Sequence, residues 1–295
     1  ALTVAGTSAL QAGTGNITLM NTGNDFSGTI SGAGDVVQIN DQNALTLGTV
    51  STTGNLSVSS IGALDLGTST VGGNLSANSG NGNITQAGAL TVAGTSALQA
   101  GTGNITLMNT GNDFSGAISG AGDVVQINDQ NALTLGTITT TSDLSVTSTG
   151  ALDLGSSTIG GNLSANSGNG NITQSGPLLV TGTAGLTAGT GSVTLTNAAN
   201  NFTGAVSASA SDVALTNANA LTLGSEATLA RNELEAARFE LNQLLGEKAE
   251  HPLELRRENL ILNPPPALDS LLTEARKKNF DLRARILDVE QGPVL

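Results

Sequence analysis

Residues 1–224 predict an all-β parallel β-solenoid built from coils of about 20 residues, and residues 225–295 predict a short α-helical appendage. Three observations carry this reading: a long internal repeat, a shorter beat nested inside it, and a composition that suits thin stacked strands better than a globular core. Glycine supplies 39 residues, aromatics are 2%, and Trp, Tyr and Cys are absent, so the interior has to be built from Leu, Ile, Val and Ala.

Residues 1–88 recur at 89–176 with ten differences, and a diverged, partial third copy, PLLVTGTAGLTAGTGSVTLTNAANNFTG onward, occupies 177–224. Phe26, Phe114 and Phe202 mark equivalent positions. Most changes are conservative, as with Val50 against Ile138 and Val71 against Ile159, and a strand surface tolerates such exchanges of β-branched residues.

Within each copy, short alternating runs begin at Asn16, Val37, Asn55, Asn74 and Asn104. Apolar residues alternate with small polar ones, the period-2 signature of a half-buried strand, and Gly-Asn, Thr-Gly and Ser-Gly clusters turn the chain between runs. One strand and turn cannot bury an apolar face alone, whereas stacked coils share a continuous interior. Some ten coils spaced about 4.8 Å apart make a rod on the order of 50 Å long. The 30 residues between Asn74 and Asn104 include an extra Asn83-Ile84-Thr85 and read as an enlarged coil, or a coil plus a short excursion.

The inward candidates are Ile17, Leu19, Ile39, Leu45, Leu47, Leu56, Val58, Leu64, Leu66, Leu75 and Ile84, with their partners 88 residues on. Asn at the turn that opens each coil is expected to form an internal side-chain ladder. Phe26 and its equivalents are expected to fill a wide corner, with an outward contact position as the alternative.

All ten Lys and Arg lie between Arg231 and Arg285, while residues 1–224 hold ten Asp and no Glu. An acidic surface without a base repels phosphate, which argues against nucleic acid or anionic lipid as a partner. No run of about 18 apolar residues suggests a membrane-spanning helix. Residue 1 falls inside a repeat with no signal peptide before it, so the chain reads as a mature fragment of a longer protein.

No catalytic, cofactor-binding or metal-binding residue is assigned, and no cofactor is expected. The chain has no Cys, and its one His, His251, sits in a Pro-flanked stretch that reads as a solvated linker. β-Helix polysaccharide lyases use Arg or Lys beside acidic calcium ligands, and the solenoid has no base. Gly32-Ala33-Gly34-Asp35 and Gly120-Ala121-Gly122-Asp123 are the closest approach to a calcium repeat, but calcium takes about six to eight oxygens and one Asp supplies too few. Thr rows on flat solenoids can order water; here Thr is scattered among unequal coils.

The stretches GNITQAGALTVAGTSALQAGTGNITL, NDFSGAISGAGDVVQINDQNALTLG and GALDLGSSTIGGNLSANSGNGNITQSG resemble the tandem repeats of filamentous-haemagglutinin-like exoproteins. The likeness covers residues 1–224. It implies a right-handed β-helix on a bacterial surface or secreted from it, serving attachment or biofilm. The partners it implies are a host or neighbouring cell surface, matrix polysaccharide, or further copies stacked end to end. The family's amino-terminal secretion domain has no counterpart here.

From Ser225 the pattern turns helical: Leu234, Ala237, Leu241, Leu244 and Leu245 recur at helical spacing, with Ser225 as a cap and Gly246 as a stop. Pro264-Pro265-Pro266 then precedes a second helical stretch capped by Asp269. LARNELEAARFELNQLLGE and PPPALDSLLTEARKKNFDLRARILDVEQ resemble the junction between the two repeats of TolC-type outer-membrane efflux channels. Where that family often has Asn-Pro-Asp-Leu, this chain has Asn279-Phe280-Asp281-Leu282. The likeness implies contact with outer-membrane machinery through residues 225–295, or an export channel carrying a solenoid. A helical cap over the last coil is a further expectation for this segment.

The function expected is therefore structural or adhesive and not enzymatic, in a stalk or fibre at the cell surface. An efflux or export channel is the alternative, and an ice- or polysaccharide-binding solenoid a lesser one.

Overall fold

A strand of two to eight residues between tight turns satisfies its backbone only by pairing with a neighbour, and here every neighbour is the same stretch of the next coil. The structure, a computed structural model that describes residues 1–224, shows 30 strands in that unit and no helix among the described residues. Every strand pairing is parallel, and the strands stack as a β-solenoid of eleven coils with three faces. The tail elements expected after Ser225, and His251, lie outside the described residues.

On the first face, one inward row runs through Leu45, Leu64, Ile84, Ile105, Val125, Leu144, Leu163, Ala184 and Val206, each paired with the next. Steps along it vary from 19 to 22 residues because the turns at the corners differ in length. All nine side chains are buried. Fully burying a Val, Leu or Ile is worth roughly 1.5–3 kcal/mol, so the rows on the three faces supply the main driving force.

The inward set expected from the sequence is buried at every position but one. Leu19 is only partly buried, because its strand, Ile17–Leu19, has a paired neighbour on one side alone. Its partner Leu107, between neighbours on both sides, is fully buried. Phe26, Phe114 and Phe202 are buried within strands, which rules out the outward contact position.

The 30-residue interval is not an enlarged coil. From Ile17 the third face climbs through Val37, Leu56 and Leu75 to Ser96, whereas Ile105 stacks on Ile84 of the first face. The strands Leu45–Thr52 and Leu133–Thr140 each serve two faces, so a repeat holds thirteen strand positions. Three positions make a coil; one repeat is thus four and one-third coils. Equivalent residues land on successive faces: Phe26 pairs beside Val4 on the first, Phe114 beside Val92 on the second, and Phe202 beside Val180 on the third.

Corners close by two devices. Buried hydroxyls bond to carbonyls two or three residues on, as Thr52 Oγ1 to Gly54 O (2.9 Å), Ser60 Oγ to Gly62 O (2.8 Å) and Ser167 Oγ to Gly170 O (2.6 Å). Elsewhere backbones meet directly: a Cβ on Gly103 would lie 2.1 Å from Gly82 O, so no larger residue fits. The Asn residues at the coil openings do form a ladder, but an exposed one made to backbone. Asn55 Oδ1 accepts from Asn74 N (2.8 Å), Asn74 Oδ1 from Thr95 N (2.9 Å) and Asn83 Oδ1 from Asn104 N (2.9 Å). A side-chain oxygen reaching one coil up replaces the strand hydrogen bond that is lost where the chain turns.

Leu107→Asp is expected to cost at least about 3 kcal/mol in chemical denaturation, since it buries a charge with no base to pair it, while outward Thr106→Asp costs far less. Equal losses would show that the inward phase is wrong. Ser96 is a natural flaw of the opposite kind: it is buried in the row between Leu75 and Ile118, its Oγ has no partner, and Ala184 is its counterpart in the third copy. Ser96→Ala should therefore raise stability by about 1 kcal/mol, read as a higher denaturation midpoint.

Candidate functional site

The most elaborate local structure in the repeat is a loop that opens at Met20, Met108 and Thr196 and ends in the buried Phe strands Asp25–Phe26, Asp113–Phe114 and Asn201–Phe202. Its tip is a self-closed turn: Asn21 Oδ1 accepts from Gly23 N (3.0 Å), Asn109 Oδ1 from Gly111 N (2.9 Å) and Asn197 Oδ1 from Ala199 N (2.9 Å). Met20 and Met108 stand beside these tips at 42% and 41% exposure, a high value for a large apolar side chain.

Beneath each tip one Asn turns inward, and Asn24, Asn112 and Asn200 are all buried. Asn112 ties three coils together. Its Oδ1 accepts from Leu90 N (2.9 Å) one coil below, and its Nδ2 donates to Leu107 O (3.1 Å) in its own coil and to Asn128 O (3.2 Å) one coil above. Gln86 closes the set by a two-way amide pair, donating to Asn112 Oδ1 (2.7 Å) and accepting from Asn112 Nδ2 (2.9 Å). Gln174 and Asn200 repeat the pair at 2.7 Å in both directions. Asn24 keeps the bonds to Leu2 N (2.9 Å), Leu19 O (2.9 Å) and Asn40 O (3.3 Å).

A second polar residue, buried in the first two copies, supports each Phe from the coil above. Asp41 Oδ2 accepts from Phe26 N (3.1 Å) and its Oδ1 from Asn43 N (2.9 Å). In the third copy a neutral amide does the same work, with Phe202 N donating to Asn217 Oδ1 (2.8 Å) and Asn217 Nδ2 donating to Phe202 O (3.2 Å). Asp129 is the least satisfied of the three. Its Oδ1 accepts a long bond from Asn131 N (3.4 Å), and its buried Oδ2 has no partner of normal geometry. Burial pushes its carboxyl above the usual range, against weaker opposing backbone hydrogen bonds.

Asn24, Asn112, Asn200, Asp41 and Asp129 are enclosed under the loops, and their bonds between coils hold the shape of the arrangement. The acids at the turns are bound up in the ladder too. Thr53 Oγ1 donates to Asp35 Oδ1 (2.7 Å), and the Thr141 and Ser142 hydroxyls donate to Asp123, holding its carboxyl below the usual range. The preceding Gly34 and Gly122 lie inside strands, so the Gly-Ala-Gly-Asp stretches are strand ends. No group of three or more His, Cys, Asp or Glu able to hold a metal occurs among the described residues.

Reading the sequence did not single out Asn24, Asn112, Asn200, Gln86 or Asp129. The available signal was that an Asn two residues before each Phe persists in the third copy, where Gly111 has become Ala199 and Asp113 has become Asn201.

Asp129→Asn is expected to raise the melting temperature by a few degrees at neutral pH. The folded state favours protonated Asp129, so this group's stabilising contribution is full below the ordinary carboxylate range and is lost as pH rises through the raised value. The advantage of the variant should therefore shrink as pH falls toward about 4. A gap that is constant with pH, measured by circular dichroism, would show that the carboxyl is not the cause.

Comparison with curated proteins and with solved structures finds no match for this chain. A family model does match, over residues 1–33, 33–65, 58–121, 121–153 and 141–209, so that the matched stretches join into one block spanning most of the solenoid. The chain belongs to the family described as repeats of unknown function (DUF5649).

Proposed function

We propose that residues 1–224 are a rigid structural rod, a stalk or fibre segment of a secreted or cell-surface bacterial protein, which serves attachment by holding other parts at a distance and performs no catalysis. The observation that carries this reading is the phase of the repeat. Because 88 residues make four and one-third coils, side chains that recur in sequence are dealt out over all three faces, while the aliphatic interior runs on as one cluster. What the repeat preserves is length and stiffness. A flat recognition face would require the same outward residues on one side, coil after coil.

The outward rows support the same choice. On the first face the row runs Thr46, Asp65, Thr85, Thr106, Gln126, Ser145 and Ser164, a mixture of charge, amide and hydroxyl. Such a surface lacks the uniform Thr array that ice binding needs. The three Phe of the described residues are buried, which leaves no aromatic platform for stacking a sugar ring. The acidic, base-free exterior keeps rods apart and in solution. The likeness of residues 225–295 to an efflux-channel junction supports a role for that segment at the outer membrane.

Antibodies raised against residues 1–224 should label intact, unpermeabilised cells, and brief protease treatment of those cells should remove both the label and their attachment to surfaces. Labelling that appears only after permeabilisation would overturn the surface reading.

A further inference from the structure

The interior of this solenoid treats its three faces as interchangeable. The stretch Ile17–Leu19 lies on the third face, its copy Ile105–Leu107 on the first, and the copy Ser192–Leu195 on the second. In all three, the first inward residue pairs 20 positions ahead: Ile17 with Val37, Ile105 with Val125, Val193 with Val213. The irregularity in the ladder also moves with the repeat. The register shift between Ile30 and Gly32 on the second face reappears between Ile118 and Gly120 on the third. The loop turn and its buried Asn are likewise rebuilt at three different corners, each Asn Nδ2 donating to the Leu carbonyl five residues back.

We infer that the 88-residue unit is a module of length and azimuth. Gain or loss of one unit leaves every coil seated on a coil of its own kind, changes the rod by about 21 Å at a strand spacing of about 4.8 Å, and turns everything beyond the splice by one third of a revolution. Three units, or thirteen coils, bring a given loop back to the same side after about 62 Å. A partner touching one side of the rod therefore meets each edge loop once in three repeats, and the number of units selects which side any following segment faces. This goes beyond the attachment role and holds wherever the rod works.

The physical reason lies in the unequal coils. Removing four whole coils, for example residues 84–162, keeps each later residue on its own face but seats the four-residue strand Leu163–Asn166 on the two-residue strand Leu64–Asp65 in place of Leu144–Ser148. Removing residues 89–176 creates no such mismatch, since residue 177 replaces its own counterpart, residue 89.

Both deletions can be made in the full chain, with Thr85→Cys and Thr194→Cys added to the second, because the protein has no Cys of its own. Val193 stacks on Ile172 on the second face, whereas Ile84 belongs to the first, so the two introduced thiols cannot meet in the full-length protein. In the variant lacking 89–176, Thr194 should move to the first face directly above Thr85, within disulfide reach for adjacent strands. Expected are a quantitative disulfide by mass spectrometry, a melting temperature close to the parent's, and a maximum dimension shorter by about 21 Å in X-ray scattering; the 84–162 deletion should melt well below both. A folded 89–176 variant without the disulfide would overturn the rotation, and one as unstable as the 84–162 deletion would overturn the module.

Discussion

The hydrogen-bonded ladder between successive coils is the constraint on which the rest of this molecule depends. A strand of two to five residues has no stability alone, and a coil of about 20 residues has too little apolar surface to form a core. Parallel pairing above and below solves both problems, because it satisfies the backbone and brings Leu, Ile and Val into rows such as Leu45 to Val206. The cost falls at the corners, where strand pairing stops. There the chain uses side chains as substitute backbone, with Asn55 and Asn74 reaching up one coil and Ser60 and Ser167 folding back on carbonyls.

Glycine content follows from the same constraint. Corners stacked at strand spacing bring carbonyls almost onto the α-carbons above, as at Gly82 and Gly103, and only a residue without a Cβ can stand there. This is why the composition resembles that of a flexible linker while the product is an ordered rod. Tight corners on all three sides also let a repeat end on a different face from the one where it began, since no face has a special geometry that the next repeat must find again.

The loop before each Phe strand is handled differently. The buried Phe anchors its end, and Asn112 with Gln86 holds it shut by amide bonds across three coils. Buried polar groups of this kind are costly when unpaired and specific when paired, so they hold register in an interior otherwise made of interchangeable aliphatic residues. Asp41, Asp129 and Asn217 show the range of tolerance at one position: a carboxylate with both oxygens bonded, a carboxylate with one oxygen left over, and a neutral amide. With no Lys or Arg in the solenoid, the buried Asp41 is held by backbone N–H groups instead of an ion pair.

Fold class, coil length and the inward residues were legible in the sequence because they are set by local alternation and by the spacing of turn residues. Ile39, Leu56 and Ile84 are inward for the same reason that their neighbours are small and polar. Leu19 departed from its pattern only because burial depends on neighbours as well as on phase. The 30-residue interval reads as one coil because a period along the chain says nothing about which face a run lies on: Ser96 is polar, so along the chain the third-face row vanishes there and a run resumes at Ile105, on another face. Likewise, an Asn in a turn and an Asn beneath a loop look the same as letters, and only the packing decides that Asn55 faces solvent while Asn112 is enclosed. The sequence by itself determined that the chain would coil in steps of about 20 residues around an aliphatic interior, since periodicity and turn chemistry are local. The tertiary structure alone decided that a repeat closes after four and one-third coils, because that fraction depends on Leu45–Thr52 and Leu133–Thr140 each bending across two faces.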